Sequence, residues 1–184
     1  MSNIDWDFIA KMEGGRSLIA YVPERNGSPI GDSGVTVGMG IDLGQMTGAE
    51  AESLPAVLQL KLRPYLGLTR GRAMEALDRF PLHLSPDEAV AVEQPARATL
   101  IGRLSNNYSA ASGEPFDAQP GAAQTVMADV TWQYGSPWND CPHFWAKCCA
   151  RDWHAVYDEL MNFGDQYQYR RRQEAEYLSI NLPL

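Results

Sequence analysis

Glycine, proline, asparagine and serine crowd residues 15–44, and that composition forbids a helix of ordinary length there. Short β-prone runs, Ser17 to Val22 and Val35 to Met39, alternate with turn residues at Asn26-Gly27 and Gly31-Asp32-Ser33-Gly34. The stretch reads as a small antiparallel hairpin sheet. On either side of it the periodicity is helical. The predicted fold class is α+β, mostly α: one domain over 1–184, with a β-lobe over about 14–46 and a larger helical lobe from 1–13 and 47–184. A chain of 184 residues can bury a core of that size unaided.

The helices announce themselves by their ends. Residues 4–13 carry Ile4, Phe8, Ile9 and Met12 on one stripe. Thr47-Gly48-Ala49-Glu50 has the pattern of a capping box, and Ser85-Pro86-Asp87-Glu88 that of a Ser cap with Pro at the first helical position. Helical periodicity runs through 54–65, 70–77 and 86 to about 107, where Pro95 predicts a kink or break. A loop is expected over 109–121. An apolar helix over 122–134 follows, ended by Gly135-Ser136-Pro137, then helices over 142–150 and, after an Asp152 cap, 153–162. The last helix, 166–178, is charged on most faces.

Composition excludes several functions. The formal charge of −8 does not suit sequence-independent binding to phosphate backbones. No apolar run reaches the roughly 20 residues of a membrane span. The first residues, Met1-Ser2-Asn3-Ile4-Asp5-Trp6-Asp7, lack the basic and apolar regions of a Sec signal, so delivery out of the cytoplasm is expected to depend on another carrier. Cys141, Cys148 and Cys149 with His143 form Cys-x-His-x4-Cys-Cys, which is not the spacing of paired zinc knuckles. Idle thiols are expected, with no metal and no cofactor. Trp132, Trp138, Trp145 and Trp153 read as core.

The chemistry concentrates near the start. Glu13 falls at the end of the first helix, and Thr36-Val37-Gly38-Met39-Gly40-Ile41-Asp42 follows with glycines that would leave room for a ligand. An acid facing a hydroxyl and a second carboxylate across an open strand suits hydrolysis of a sugar bond. Apolar neighbours such as Ile9 and Met12 could desolvate Glu13. The second carboxylate is Asp42 or its rival Asp32, and Gly38 and Gly40 either floor the cleft or mark a bend.

This order resembles the phage-type lysozymes (muramidases) over nearly the whole chain. Trp132-Gln133-Tyr134-Gly135 looks like the aromatic-Gln-x-Gly that ends the central helix of that family. Arg170-Arg171-Arg172 with Glu174 and Leu178 looks like its closing helix. One feature departs: those enzymes carry their catalytic Asp about six residues before the Thr, where this chain has Ile30. The order Glu13, Thr36, Asp42 instead resembles the pesticin-like branch of bacteriolytic toxins and effectors.

The resemblance implies a lysozyme-like fold and cleavage of the β-1,4 bond between N-acetylmuramic acid and N-acetylglucosamine. In it, Glu13 is the proton donor, Asp42 the base or charge stabiliser, and Thr36 the holder of the attacking water, which points to an inverting route. Gln133 would bond the sugar, and Arg170 or Arg171 would pair with Glu13. A peptidoglycan substrate, a cognate immunity protein, a secretion-machine carrier and action in the periplasm of target bacteria follow from the same resemblance. The rivals are a phage endolysin with the same chemistry, a non-catalytic wall-binding module, and a lytic transglycosylase.

Overall fold

The computed structural model describes residues 2–182. It is mostly helical with a small antiparallel sheet near the N-terminus, the α+β lysozyme-like class that the sequence predicts. The chain divides into two compact units, one of residues 13–98 and one of residues 1–12 with 99–184.

In the contiguous unit, β1 (Ser17–Tyr21), β4 (Thr36–Gly38) and β5 (Ile41–Asp42) form an antiparallel sheet in the order β1-β4-β5. A separate two-stranded hairpin, β2 (Glu24–Arg25) and β3 (Ser28–Pro29), turns at Asn26-Gly27 as expected. The strands are shorter than the β-prone runs, and the register between β1 and β4 shifts between Ser17 and Tyr21. Helices α2 (Gly48–Glu52), α3 (Ala56–Leu62) and α4 (Arg70–Arg79) belong to this unit. Thr47 and Glu50 complete the reciprocal capping box, each side chain satisfying the other's backbone N–H.

Helix α5 (Pro86–Ser112) begins in this unit and is continuous through Pro95. The predicted break is therefore absent. Proline in a helix interior costs about 3 kcal/mol, and the buried Ala89, Val92, Arg97, Leu100 and Leu104 on both sides of it outweigh that local loss. The helix also overruns the expected loop by ending at Ser112. The rest of that loop holds a 3₁₀ turn at Phe116–Ala118, because Phe116 buries its ring edge-on to Tyr108, with centroids 5.9 Å apart.

The second unit centres on α6 (Gly121–Tyr134), whose residues from Ala122 to Thr131 are all buried. Around it lie α1 (Trp6–Met12), α7 (Pro137–Asp140), α8 (Pro142–Ala150), α9 (Trp153–Met161) and α10 (Gln168–Asn181). The N-terminal segment is pinned to α6 by the Asn3 N–H donating to Gln124 and the Asp5 N–H donating to Thr125, each 2.9 Å. Asp152 caps α9 by accepting from the Ala155 N–H. Trp145 is buried in the core, and Trp132, Trp138 and Trp153 pack against it. Cys141, Cys148 and Cys149 are free, and burial pushes their thiols up, that of Cys141 to about 11. Among the described residues no group of His, Cys, Asp and Glu could hold a metal, and no helix is long and apolar enough to cross a membrane.

Helix α10, charged on most faces as its sequence reads, buries part of that charge, since Arg171 and Glu174 are among its buried residues. Arg170 pairs with Asp129 of α6 at 2.6 Å and with Glu174 at 3.5 Å, while Arg171 pairs with Glu174 and with Asp165. Burial, and then the hydrogen bond and charge of Asp129, push the Glu174 carboxyl well above the usual range.

The sign of the linked stability follows. A carboxyl held above its ordinary value of 4.5 binds its proton more tightly in the folded chain than in the unfolded one, so acidification favours the folded state. This stability is complete below the unfolded value and fades as pH rises toward the folded one, at up to about 1.4 kcal/mol per pH unit for one proton. Asp165 is pushed up by burial but held below its usual 3.8 by Tyr134, Tyr167 and Arg171, so its opposing effect falls at more acid pH. Thermal melts between pH 5 and 7 should therefore show wild type gaining stability on acidification. Glu174→Gln, which removes the titrating carboxyl, should flatten that slope.

Candidate active site

Glu13 follows the last residue of α1, is exposed, and is succeeded by two glycines and Arg16 before β1 begins. Ile9 is fully buried and so turned into the core of its own unit rather than toward solvent with Glu13.

Thr36 and Asp42 lie directly opposite each other in the antiparallel pair of β4 and β5, so their side chains leave the same face of the sheet. Thr36 is 4% exposed, and its hydroxyl donates to the Gly34 carbonyl at 3.3 Å. Its oxygen lone pairs remain to accept from a water.

The Asp42 carboxylate is cradled by backbone. The Gly34 N–H donates to both of its oxygens, at 3.1 and 3.0 Å, and the Gly44 N–H donates to Oδ1 at 2.8 Å. Both donors have to be glycine. A Cβ on Gly34 would lie 2.4 Å from Asp42 Oδ1, and one on Gly44 would lie 2.4 Å from the Leu68 carbonyl oxygen. Two acceptor oxygens offer about four lone-pair sites, so the cradle orients the carboxylate without exhausting it.

Asp42 also lines a groove of about 210 Å³ with Gly40, Ile41, Gln45, Met46 and Glu50, floored by Val92, Pro95 and Ala96 of α5. The mixture of an apolar floor and polar walls suits a ligand with both kinds of surface. Larger hollows lie elsewhere, one of about 560 Å³ beside Tyr21 and Met74, but it contains none of the predicted site residues.

Asp32 is in a different setting. It pairs with Arg70 with both side chains about two-thirds exposed, and its carbonyl accepts from Gln45. Gly40 borders the Asp42 groove, whereas Gly38 is buried under Glu93, where a Cβ would come 2.9 Å from Oε1.

In the other unit, Gln133 ends α6 half-buried and accepts a hydrogen bond from Arg171 through its side-chain oxygen. A guanidinium can only donate, so the amide carbonyl faces Arg171 and the NH₂ is what Gln133 has to offer a ligand. Arg171 also lies over the Phe163 and Tyr134 rings, 4.6 and 5.6 Å from their centroids. Arg170 and Arg171 are both anchored in the Asp129–Glu174 network.

Sequence reasoning missed the buried acids. Glu93, Asp129 and Glu174 are each fully buried; Glu93 and Asp129 satisfy groups distant in sequence, while Glu174 accepts from Arg171 in its own helix. For Glu93 the one available signal was Arg97, four residues on in the same helix.

No curated protein matches the chain. A family model does match, over residues 3–154, and its description is a bacterial toxin homologue of phage lysozyme, the C-terminal domain of pesticin. The chain belongs to that pesticin family of lysozyme-homologous bacterial toxin domains.

Proposed function

We propose that the protein is a muramidase that hydrolyses the β-1,4 bond between N-acetylmuramic acid and N-acetylglucosamine in peptidoglycan, and that it acts as an antibacterial toxin against competing cells. The observation that carries this is the Thr36–Asp42 pair: a nearly buried hydroxyl and a backbone-cradled carboxylate facing the same way, the carboxylate bordering a groove.

Glu13, protonated, gives its proton to the leaving glycosidic oxygen as the bond to the anomeric carbon breaks. Thr36 accepts a hydrogen bond from a water and aims its oxygen at that carbon. Asp42 takes the proton that the water loses, and exchange with solvent resets both carboxyls. The product anomer is inverted because the water attacks the face opposite the leaving group. Asp32, two-thirds exposed and already paired with Arg70, is the weaker second carboxylate.

A phage endolysin would run the same chemistry, and membership of a bacterial toxin family favours the toxin. A toxin of this chemistry implies an immunity protein that guards the producer's own wall, and a carrier that delivers it to the periplasm of the target.

Digestion of purified sacculi, with products read by mass spectrometry, tests the proposal. Soluble fragments with reducing N-acetylmuramic acid ends are expected. Release of 1,6-anhydro ends, or no release, overturns it.

A further inference from the structure

We infer that Glu93 is a positioning residue that fixes the segment after Glu13 and the hairpin carrying Thr36 and Asp42 to one point, with Arg16 as the link on the Glu13 side; this rests on the muramidase reading above. Glu93 lies in α5 with its side chain fully buried. Its Oε1 accepts the Met39 N–H at 3.1 Å. Its Oε2 accepts Arg16 Nε at 3.1 Å and is also bonded by Arg97.

The two long-range partners occupy particular places in the chain. Met39 stands at the β4–β5 turn, three residues after Thr36 and three before Asp42. Arg16 stands three residues after Glu13, next to Ser17, which is the register partner of Gly38. A single carboxylate therefore grips both the arm that bears the proton donor and the turn that bears the water-holding pair.

Gly38 completes the grip. A Cβ there would approach Glu93 Oε1 to 2.9 Å, so the carboxylate can reach the Met39 N–H only past a residue without a side chain. Gly38 has φ of +59°, which further favours glycine.

Fold stability alone is a poor reason to bury this group. An ion pair in the interior gains little over well-packed apolar side chains, because desolvation offsets much of the attraction. What it supplies is direction. Catalytic groups must be held within about 0.5 Å of their working geometry, and a 1 Å misplacement costs about 100-fold in rate. Gly14 and Gly15, both at positive φ, give the Glu13 arm little stiffness of its own, and the bond from Arg16 to Glu93 restrains its path within this unit.

Arg16→Gln is the decisive variant, since it leaves Glu93 bonded to Met39 and Arg97 and removes the guanidinium that joins Glu93 to the Glu13 arm. Arg16→Lys keeps a cation at the same place. Steady-state digestion of labelled peptidoglycan should show Arg16→Gln losing about tenfold in kcat with KM within about twofold, and Arg16→Lys recovering most of the loss. Melting temperatures should stay within a few degrees, as Arg16 is partly exposed. A kcat for Arg16→Gln within twofold of wild type, or a loss confined to KM, overturns the inference while active wild type and inactive Glu13→Gln leave the muramidase reading standing.

Amide hydrogen exchange supplies a readout independent of turnover. Glu93→Ala, which removes the acceptor of the buried Met39 N–H, should speed exchange there by about tenfold or more. Unchanged exchange at Met39 in the folded variant overturns the inference even if the wild-type protein cleaves nothing.

Discussion

Glu13→Gln is expected to lower turnover of purified peptidoglycan by about 10³-fold and to leave the fold intact. Glutamine keeps the size and the hydrogen-bonding oxygen of the side chain and loses only the acidic proton, and a positioned general acid contributes about 10²–10⁴ in rate. The residue is exposed, so the change in stability should stay within about 0.5 kcal/mol. The measurement is release of reducing ends from sacculi, with a thermal melt and binding of a chitin oligosaccharide as controls. Retained binding with lost turnover identifies the proton donor. Full turnover by the variant would remove Glu13 from the mechanism.

Gly34→Ala is expected to damage both stability and turnover, although it adds one methyl group. That methyl would sit 2.4 Å from Asp42 Oδ1 and 2.7 Å from the Gly44 N and Cα, distances at which something must shift. The neighbours are backbone and a carboxylate already held by three hydrogen bonds, so relief requires opening the β4–β5 sheet edge or ejecting the Asp42 side chain. Overpacking of this kind costs about 1–3 kcal/mol, which for a chain of this length lowers the melting temperature by about 2–4 °C per kcal/mol. Displacing the carboxylate by about 1 Å should cost a further 100-fold in kcat. Gly102→Ala is the control, because a Cβ there meets nothing within 4 Å inside α5, and alanine is the better helix former by about 1 kcal/mol. Equal behaviour of the two variants would mean that the Asp42 cradle does not constrain the site.

Much of the helical architecture was legible because helix ends are written locally. Thr47 with Glu50, Pro142 after Cys141, and Asp152 before Trp153 each mark a start that the structure keeps. The hairpin turn at Asn26-Gly27 was legible for the same reason. Of the kink or break expected at Pro95 the break is absent, because the local penalty is set against the burial of Ala89, Val92 and Leu100, which no local rule weighs.

The buried acids were illegible for a related reason. Glu93 occupies an ordinary helical position, and what makes it unusual is Arg16 and Met39, 77 and 54 residues away. The Asp129–Arg170–Glu174 cluster likewise joins α6 to a helix 41 residues on. Glu13, Thr36 and Asp42 could be picked out by their order, but the cross-strand register that aligns Thr36 with Asp42 depends on turn geometry that the sequence only suggests.

The two compact units differ in how they arise during synthesis. Residues 13–98 are contiguous, so every sheet and helix partner within them is made before Thr99. The other unit joins the first twelve residues to the last eighty-six. Its central helix cannot satisfy Asp129 until Arg170 has been translated, and the Asn3 and Asp5 amides wait for Gln124 and Thr125. A chain interrupted before Gln168 therefore carries the contiguous unit whole and a helical unit whose Asp129 lacks the Arg170 guanidinium. Translation itself thus delays closure of this unit until α10 has been made.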